Sequence, residues 1–242
     1  MFKALHAFAE VKYRIPPKNI SKLLQYSGIR GRPKRKTTVI PFPDLKPWFV
    51  AVQGLNKTRL QETSRDILLL CLFLGLRRME AMSLRWADVD LKRKTLTVRN
   101  TKNHTDHTLP ISSYIHSLLK NRRAQASQQS PHVFPGKDGI RAIRDIDEAV
   151  HAVVKASGVS FTLHDLRRTF ATLATELGIP PYTLKRLLNH RSEQDVTEGY
   201  VILTVDSLRK PVGVLSDRIL KLAKISPVPA VYSEDENTAR LS

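Results

Sequence analysis

Leu163-His-Asp-Leu-Arg-Arg-Thr-Phe-Ala-Thr-Leu-Ala174 is the stretch from which the rest of this chain can be read. Leu163, Leu166, Phe170, Leu173 and, just beyond, Leu177 fall at helical spacing and form one apolar stripe. At ~100° per residue, Arg167 lies at the edge of that stripe and His164 one turn before it on the same side. Arg168 points further out. The pattern predicts a helix over 163–177, with His164 and Arg167 converging on one half-sheltered spot. A histidine and an arginine so placed can both donate to a single phosphate. A capped amphipathic helix with surface charges shows the same letters, so other segments must decide.

Upstream, Gly75-Leu-Arg-Arg-Met-Glu80 carries a second pair, Arg77 and Glu80, at i, i+3. It follows Ile67-Leu-Leu-Leu-Cys-Leu-Phe-Leu74, which is apolar on every side and is expected to be a buried helix. Arg77 therefore starts near the core, and a carboxylate one turn later orients its guanidinium as a rigid phosphate fork. The plain alternative is a helix-surface ion pair, worth ~0.5 kcal/mol. Between the two pairs, Thr95-Leu-Thr-Val-Arg99 alternates, with Leu96 and Val98 on one face. Residues 92–94 read as a turn from 88–90, 100–106 as a polar turn, and 107–110 as a third strand. Lys102 sits in that polar turn, where it either reaches into a groove and gives up a proton or is a solvated loop lysine. Leu187-Leu-Asn-His190 and Thr197-Glu-Gly-Tyr200-Val201 complete the set. Tyr200 follows Gly199 in a non-helical spot; alone it is equally a half-buried packing tyrosine.

The charge balance narrows the partners. Forty Lys+Arg against 22 Asp+Glu give +18 over 242 residues. A body this basic repels itself unless a polyanion neutralises it, which points to nucleic acid or an acidic membrane surface. Residues 30–36 concentrate the charge; Arg30, Arg32, Lys34, Arg35 and Lys36, broken by Gly31 and Pro33, read as a linker suited to phosphates or as a solvated loop. Cys71 is the one cysteine, which excludes an intramolecular disulfide and a cysteine zinc site and fits a reducing compartment. The apolar run around it falls well short of the ~20 residues that span a bilayer. With no signal-peptide pattern, the chain reads as soluble and cytoplasmic. His104 and His107 share a turn without Cys or a carboxylate pair, so no metal is expected there.

Helices are expected within 2–26, from 43 to 52, from 56 or 57 through 74, and at about 112–123, 141–156, 163–177, 181–188 and 204–222. Pro211 and Gly213 are expected to bend or split the last. The sum is an α+β fold, mainly α-helical, with a small three-stranded antiparallel sheet. Residues 1–38 read as an N-terminal remnant plus basic linker, 39–225 as the main domain, and 226–242 as a mobile tail.

Taken together and in order, Arg77, Lys102, His164-x-x-Arg167, His190 and Tyr200 resemble the tyrosine recombinase, or phage integrase, family, whose pattern is Arg…Lys…His-x-x-Arg…His/Trp…Tyr. The resemblance covers about residues 40–220. Gly75-Leu-Arg-Arg-Met-Glu-Ala-Met-Ser-Leu-Arg-Trp-Ala-Asp88 is similar to the first box of the family, and His164-Asp-Leu-Arg-Arg-Thr-Phe-Ala-Thr172 to the second. Leu74 stands where the family often has Thr, and Asn189 where it often has Gly; neither removes a reactive group. The usual N-terminal core-binding domain is mostly missing, with residues 2–26 as its last helices, which implies a truncated chain or partial gene.

The resemblance implies an integrase-type catalytic fold and metal-free, ATP-free DNA strand exchange. Tyr200 would attack a phosphodiester and form a 3′-phosphotyrosine. Arg77, Arg167 and His164 would hold the non-bridging oxygens, His190 would donate to the phosphate or position it, and Lys102 would protonate the departing 5′-oxygen. Glu80 would support Arg77; the role of Asp165 stays open between capping its helix and orienting a neighbour. Glu193, Asp195 and Glu198 would face solvent or a basic neighbour. Double-stranded DNA is the expected partner, with assembly into a tetramer on it. In the family a C-terminal segment like 205–222 docks on a neighbouring subunit. The stripe Val205, Leu208, Val212, Leu215, Ile219, Leu222 also suits folding back on its own domain; docking is the expectation, although Pro211 interrupts the stripe. Three rivals remain: a topoisomerase-like strand breaker, a DNA-binding regulator on a dead recombinase fold, and a basic RNA- or membrane-surface binder. The last explains the charge and none of the ordered motifs.

Overall fold

The computed structural model describes residues 2–14, 38–99, 106–127, 129–190 and 203–225. The chain divides into two compact units, Met1–Thr37 and Thr38–Ser242. Of the first, helix α1 spans Phe2–Tyr13. The second carries everything that follows.

Helix α3, Arg59–Leu74, forms the centre. It starts at Thr58, whose hydroxyl accepts from the Gln61 N–H at 3.2 Å, as an N-cap should. From Ile67 to Leu74 every side chain is buried, as an all-round apolar helix requires. Cys71 is in this run and its thiol is inaccessible. Around α3 pack α2 (Leu45–Gln53), α5 (Ser113–Ala124), α6 (Asp147–Ser157), α7 (Leu163–Glu176) and α9 (Arg209–Ala223). Leu45, Trp48, Phe49 and Val52 of α2 are buried at the expected spacing. Phe49, Phe73 and Tyr114 form an aromatic link, the last two stacked at 4.7 Å. Helix α5 is locked to α3 by Arg122, which meets Asp66 at 2.7 Å and Thr63 at 2.6 Å and lies over the Phe134 ring.

A small sheet flanks this bundle. Strands β1 (Val89–Asp90), β2 (Thr95–Val98) and β3 (His107–Pro110) run antiparallel in the order β1-β2-β3. Leu96 pairs with Leu109 and Val98 with His107, so these four side chains share the buried face. Thr97 and Thr108 pair on the other face, their hydroxyls 2.9 Å apart.

Three expectations are corrected. Residues 141–146 are not helical, and α6 begins at Asp147. Their backbone is already engaged: Ile143 N–H donates to Phe134 O at 2.9 Å and Gly136 N–H to Arg141 O at 2.8 Å. Nor does Pro211 split the last helix, since α9 runs unbroken over Arg209–Ala223. Pro211 falls in its first turn, where a missing N–H costs no intrahelical bond. Leu208, Val212, Leu215 and Ile219 are all buried against the same chain. The expectation that this stripe docks on a neighbour is therefore overturned as far as Ala223. The sequence also missed α4 (Arg78–Met82), too short at five residues to show a period. The expected mobile tail and linker lie outside the described residues.

Gly75 sets how closely these helices approach. It ends α3 with φ +63°. A Cβ there would come within 2.8 Å of both the Phe170 ring and a Leu188 methyl. Gly75→Ala should thus combine left-handed strain with overpacking and cost about 2–4 kcal/mol, read as a lower urea midpoint at unchanged slope. An unaltered midpoint would refute this account of the contact.

Candidate active site

Arg167 organises the site. It lies on α7, a helix capped by Thr162, whose hydroxyl accepts from Asp165 N–H at 3.3 Å while Asp165 accepts from Thr162 N–H at 2.9 Å. Asp165 also accepts from Thr38 at 2.8 Å and Arg168 at 3.2 Å, and these bonds hold its carboxyl below the usual range against the opposing pull of burial. The role left open by sequence is thereby settled structurally: Asp165 caps α7 and ties Thr38 to it. The Ile40 N–H makes a second tie, to Thr169 at 2.9 Å.

Two residues past Asp165, Arg167 is only 6% exposed. Its two terminal nitrogens donate at 2.5 Å to Gly75 O and Leu188 O. Burial, then the nearby Arg77 cation, push its pKa down to about 10, so it stays charged at neutral pH. Each of these nitrogens keeps a second hydrogen to donate. Sequence periodicity placed Arg167 at the edge of the apolar stripe; the structure buries it further, because two orphan helix-end carbonyls are there to receive it.

Arg77 sits where α3 gives way to α4. Its guanidinium meets Glu80 at 2.6 Å, and Glu80 also takes the Arg77 backbone N–H at 2.8 Å. Both carboxylate oxygens thus fix one residue, main chain and side chain together. Neighbouring Arg78 is drawn away to Asp145 and Asp147, each at 3.0 Å.

His190 follows helix α8, Pro181–Leu187. Asn189 turns the chain with φ +46°, and His190 N–H closes back on Lys185 O at 2.9 Å. Asparagine tolerates this left-handed conformation, which is why it can stand where glycine is common. His164 opens α7 one turn before Arg167. Both imidazoles are exposed at residue level, yet both fall below the ordinary histidine value. Partial burial is the leading cause for each. Next come Arg168, Arg167 and Arg77 for His164, and Arg167, Arg77 and Lys185 for His190.

Arg77 and Arg167 thus both act on the charge of His164 and His190, and Arg77 on that of Arg167, from three separate segments. The structure brings these four together, with Glu80 behind Arg77. Lys102 and Tyr200 lie outside the described residues, as do Arg30, Arg32, Lys34, Arg35, Lys36, His104, Glu193, Asp195 and Glu198. Sequence reasoning missed His107, which is buried on β3 with Nε2 3.2 Å from Leu187 O and Nδ1 3.3 Å from an Arg186 nitrogen. Its place at an inward position of an alternating strand was the available signal. Among the described residues no three His, Cys, Asp or Glu side chains group as a metal site, and no helix is long and apolar enough to cross a membrane.

The chemistry this cluster offers is a cationic socket for a tetrahedral anion. In the free chain both histidines are neutral at pH 7. An anion seated among them stabilises the imidazolium and must raise both pKa values. Histidine NMR titration should find His164 and His190 below 6.5, moving upward when inorganic phosphate is added. Values that ignore phosphate would count against a shared socket.

Comparison with known proteins agrees with this architecture. The family model described as "Phage integrase family" matches residues 51–205, more than half the chain. The prophage integrase IntF of Escherichia coli K12 is 30% identical over 175 residues, 69% of this chain and 35% of that protein. The tyrosine recombinase XerA of Thermococcus kodakarensis is 29% identical over 202 residues, 81% of this chain and 65% of that protein. The chain therefore spans between about a third and two thirds of the length of these relatives. Among solved structures, the integrase from mycobacterium phage Brujita aligns with a TM-score of 0.53 at 26% identity, over 85% of this chain and 72% of its own. A crystal structure of XerA recombinase aligns at 0.55 with 20% identity, over 86% and 79%; XerH bound to its difH substrate aligns at 0.53 with 20% identity, over 61% and 45%. The integrase-type fold expected from the motifs is the fold observed, and the chain belongs to the phage integrase family.

Proposed function

We propose that this chain is the catalytic part of a site-specific DNA recombinase that breaks and rejoins strands through a tyrosine–phosphate bond. The observation that carries the reading is the convergence of Arg77, His164, Arg167 and His190 on one basic spot, with Arg77 held by Glu80. The relatives named as tyrosine recombinases and integrases, and the XerH structure described as a site-specific recombinase bound to difH substrate, support the same reading.

In this reading the Tyr200 phenolate oxygen attacks the scissile phosphorus. The bond from phosphorus to the 5′-oxygen breaks, and a 3′-phosphotyrosine forms. Lys102 gives its proton to the departing 5′-oxygen. Arg77, Arg167 and His164 carry the charge that gathers on the non-bridging oxygens, and His190 donates to the phosphate. The ester to Tyr200 preserves the bond energy, so resealing needs no ATP. In this reading four charged or polar donors would surround the phosphate, and the mechanism would ask for no metal. The basic stretch Arg30, Arg32, Lys34, Arg35 and Lys36 would lie along the duplex backbone, gripping phosphates without reading bases. Self-association into a tetramer on DNA belongs to the same reading. With Leu208 and helix α9 folded onto their own domain, any swapped contact would come from elsewhere in the chain.

The test uses nicked duplexes randomised in sequence around the nick, so that cleavage strands the covalent product. Denaturing electrophoresis should show a protein–DNA adduct with the unaltered chain and none with Tyr200→Phe; an adduct surviving that substitution would overturn the nucleophile. Arg77→Ala and Arg167→Ala should each slow adduct formation by about 100- to 1000-fold. Lys102→Ala should cleave slowly on the normal duplex and recover with a 5′-thio leaving group, since a thiolate departs without a proton. Equal slowness on both substrates would remove Lys102 as the acid. Joining between two marked duplexes separates exchange from plain relaxation.

A further inference from the structure

We infer that His107 is a positioning residue for this clamp, holding from the buried face of β3 the turn that presents Leu188 O to Arg167 and carries His190. The inference rests on the phosphate-clamp reading above and adds to it a residue outside the motif pattern.

The strand register puts His107 opposite Val98 on the inner face of the sheet, where it is 3% exposed. Both ring nitrogens are engaged, and the partners fix the tautomer. Arginine has no acceptor, so the Arg186 nitrogen donates to Nδ1 at 3.3 Å. Nε2 therefore carries the proton and donates to Leu187 O at 3.2 Å. Burial, followed by the nearby Arg186 and Arg167 cations, pushes His107 down to about 4, with Leu187 and Glu80 opposing. The ring stays neutral near pH 7 and can both accept and donate.

What it holds is a run of four residues. Leu187 is the last residue of α8, with one of the carbonyls a helix end leaves unpaired. The next carbonyl, Leu188 O, receives Arg167. Asn189 makes the left-handed turn, and His190 follows. Removing the His107 donor leaves a buried carbonyl unsatisfied immediately before the one that holds Arg167. The turn then shifts, and the guanidinium and imidazole lose their aim together.

A core histidine that only stabilises the fold would fail a test the positioning role passes. Arg77 and Arg167 serve to neutralise the phosphate. Replacing one non-bridging oxygen at the scissile position by methyl removes that charge, and with it the need for an aimed guanidinium. The substrates are duplexes captured from the randomised nicked pool, remade with phosphate or methylphosphonate at the cleaved position. On phosphate, H107L should slow single-turnover adduct formation by about 10- to 100-fold, with duplex affinity within about twofold. On methylphosphonate the gap to the unaltered chain should close to about threefold or less. H107Q, which keeps an N–H for Leu187 O, should lie much nearer the unaltered chain on phosphate. If H107L does not fold by circular dichroism, H107M against H107Q supplies the same contrast of donor absent and present. Equal rates for H107L and the unaltered chain on phosphate, or an equal loss on both substrates, would overturn the proposal alone. No adduct from the unaltered chain would overturn the cleavage reading and this proposal with it.

Discussion

A buried guanidinium must have its hydrogens received, and in this protein that requirement joins three distant segments. Arg167 reaches Gly75 O at the end of α3 and Leu188 O at the end of α8. Each carbonyl is an unpaired helix-end group that would otherwise need water or another cap. The arrangement works only because Gly75 lacks a side chain, letting Phe170 and Leu188 close over it. Core packing and site geometry are therefore one problem. The glycine that lets the helices touch is the residue whose carbonyl holds the arginine.

The resting electrostatics follow. Arg77 lies close enough to depress Arg167, and both cations depress the histidines. Glu80 answers part of that repulsion, and it is already committed to Arg77. Positive groups held together by packing and backbone bonds are strained toward an anion. Such preorganisation stabilises developing negative charge without reorganisation at the moment of reaction.

Much of this was legible because it is local. The stripe of α7, the buried run of α3, the alternation of β2 and the Arg77–Glu80 pair are all short-range patterns, and each formed as read. What sequence could not show depends on long-range contact. Residues 141–146 follow helical spacing, but their backbone is taken by pairing with the 134–136 segment. The stripe of α9 is equally apolar whether it faces a neighbour or its own domain, and Pro211 is harmless only because of where the helix starts. His107 opened the expected third strand, but nothing in its neighbours announces that Leu187 O and Arg186 lie across from it. Asn189 looked like a departure and makes a left-handed turn that asparagine tolerates.

The burial of Cys71 has a practical consequence. It is the single cysteine of the chain, shut inside α3, and burial pushes its thiol up to about 12. The thiolate is the reactive form, so this sulfur is silent toward maleimides and iodoacetamides while the protein is folded. This chain is thus a blank background for labelling. A cysteine placed on the surface would be the one address a fluorophore or spin label finds, and movement of the chain could be followed without first stripping out native thiols.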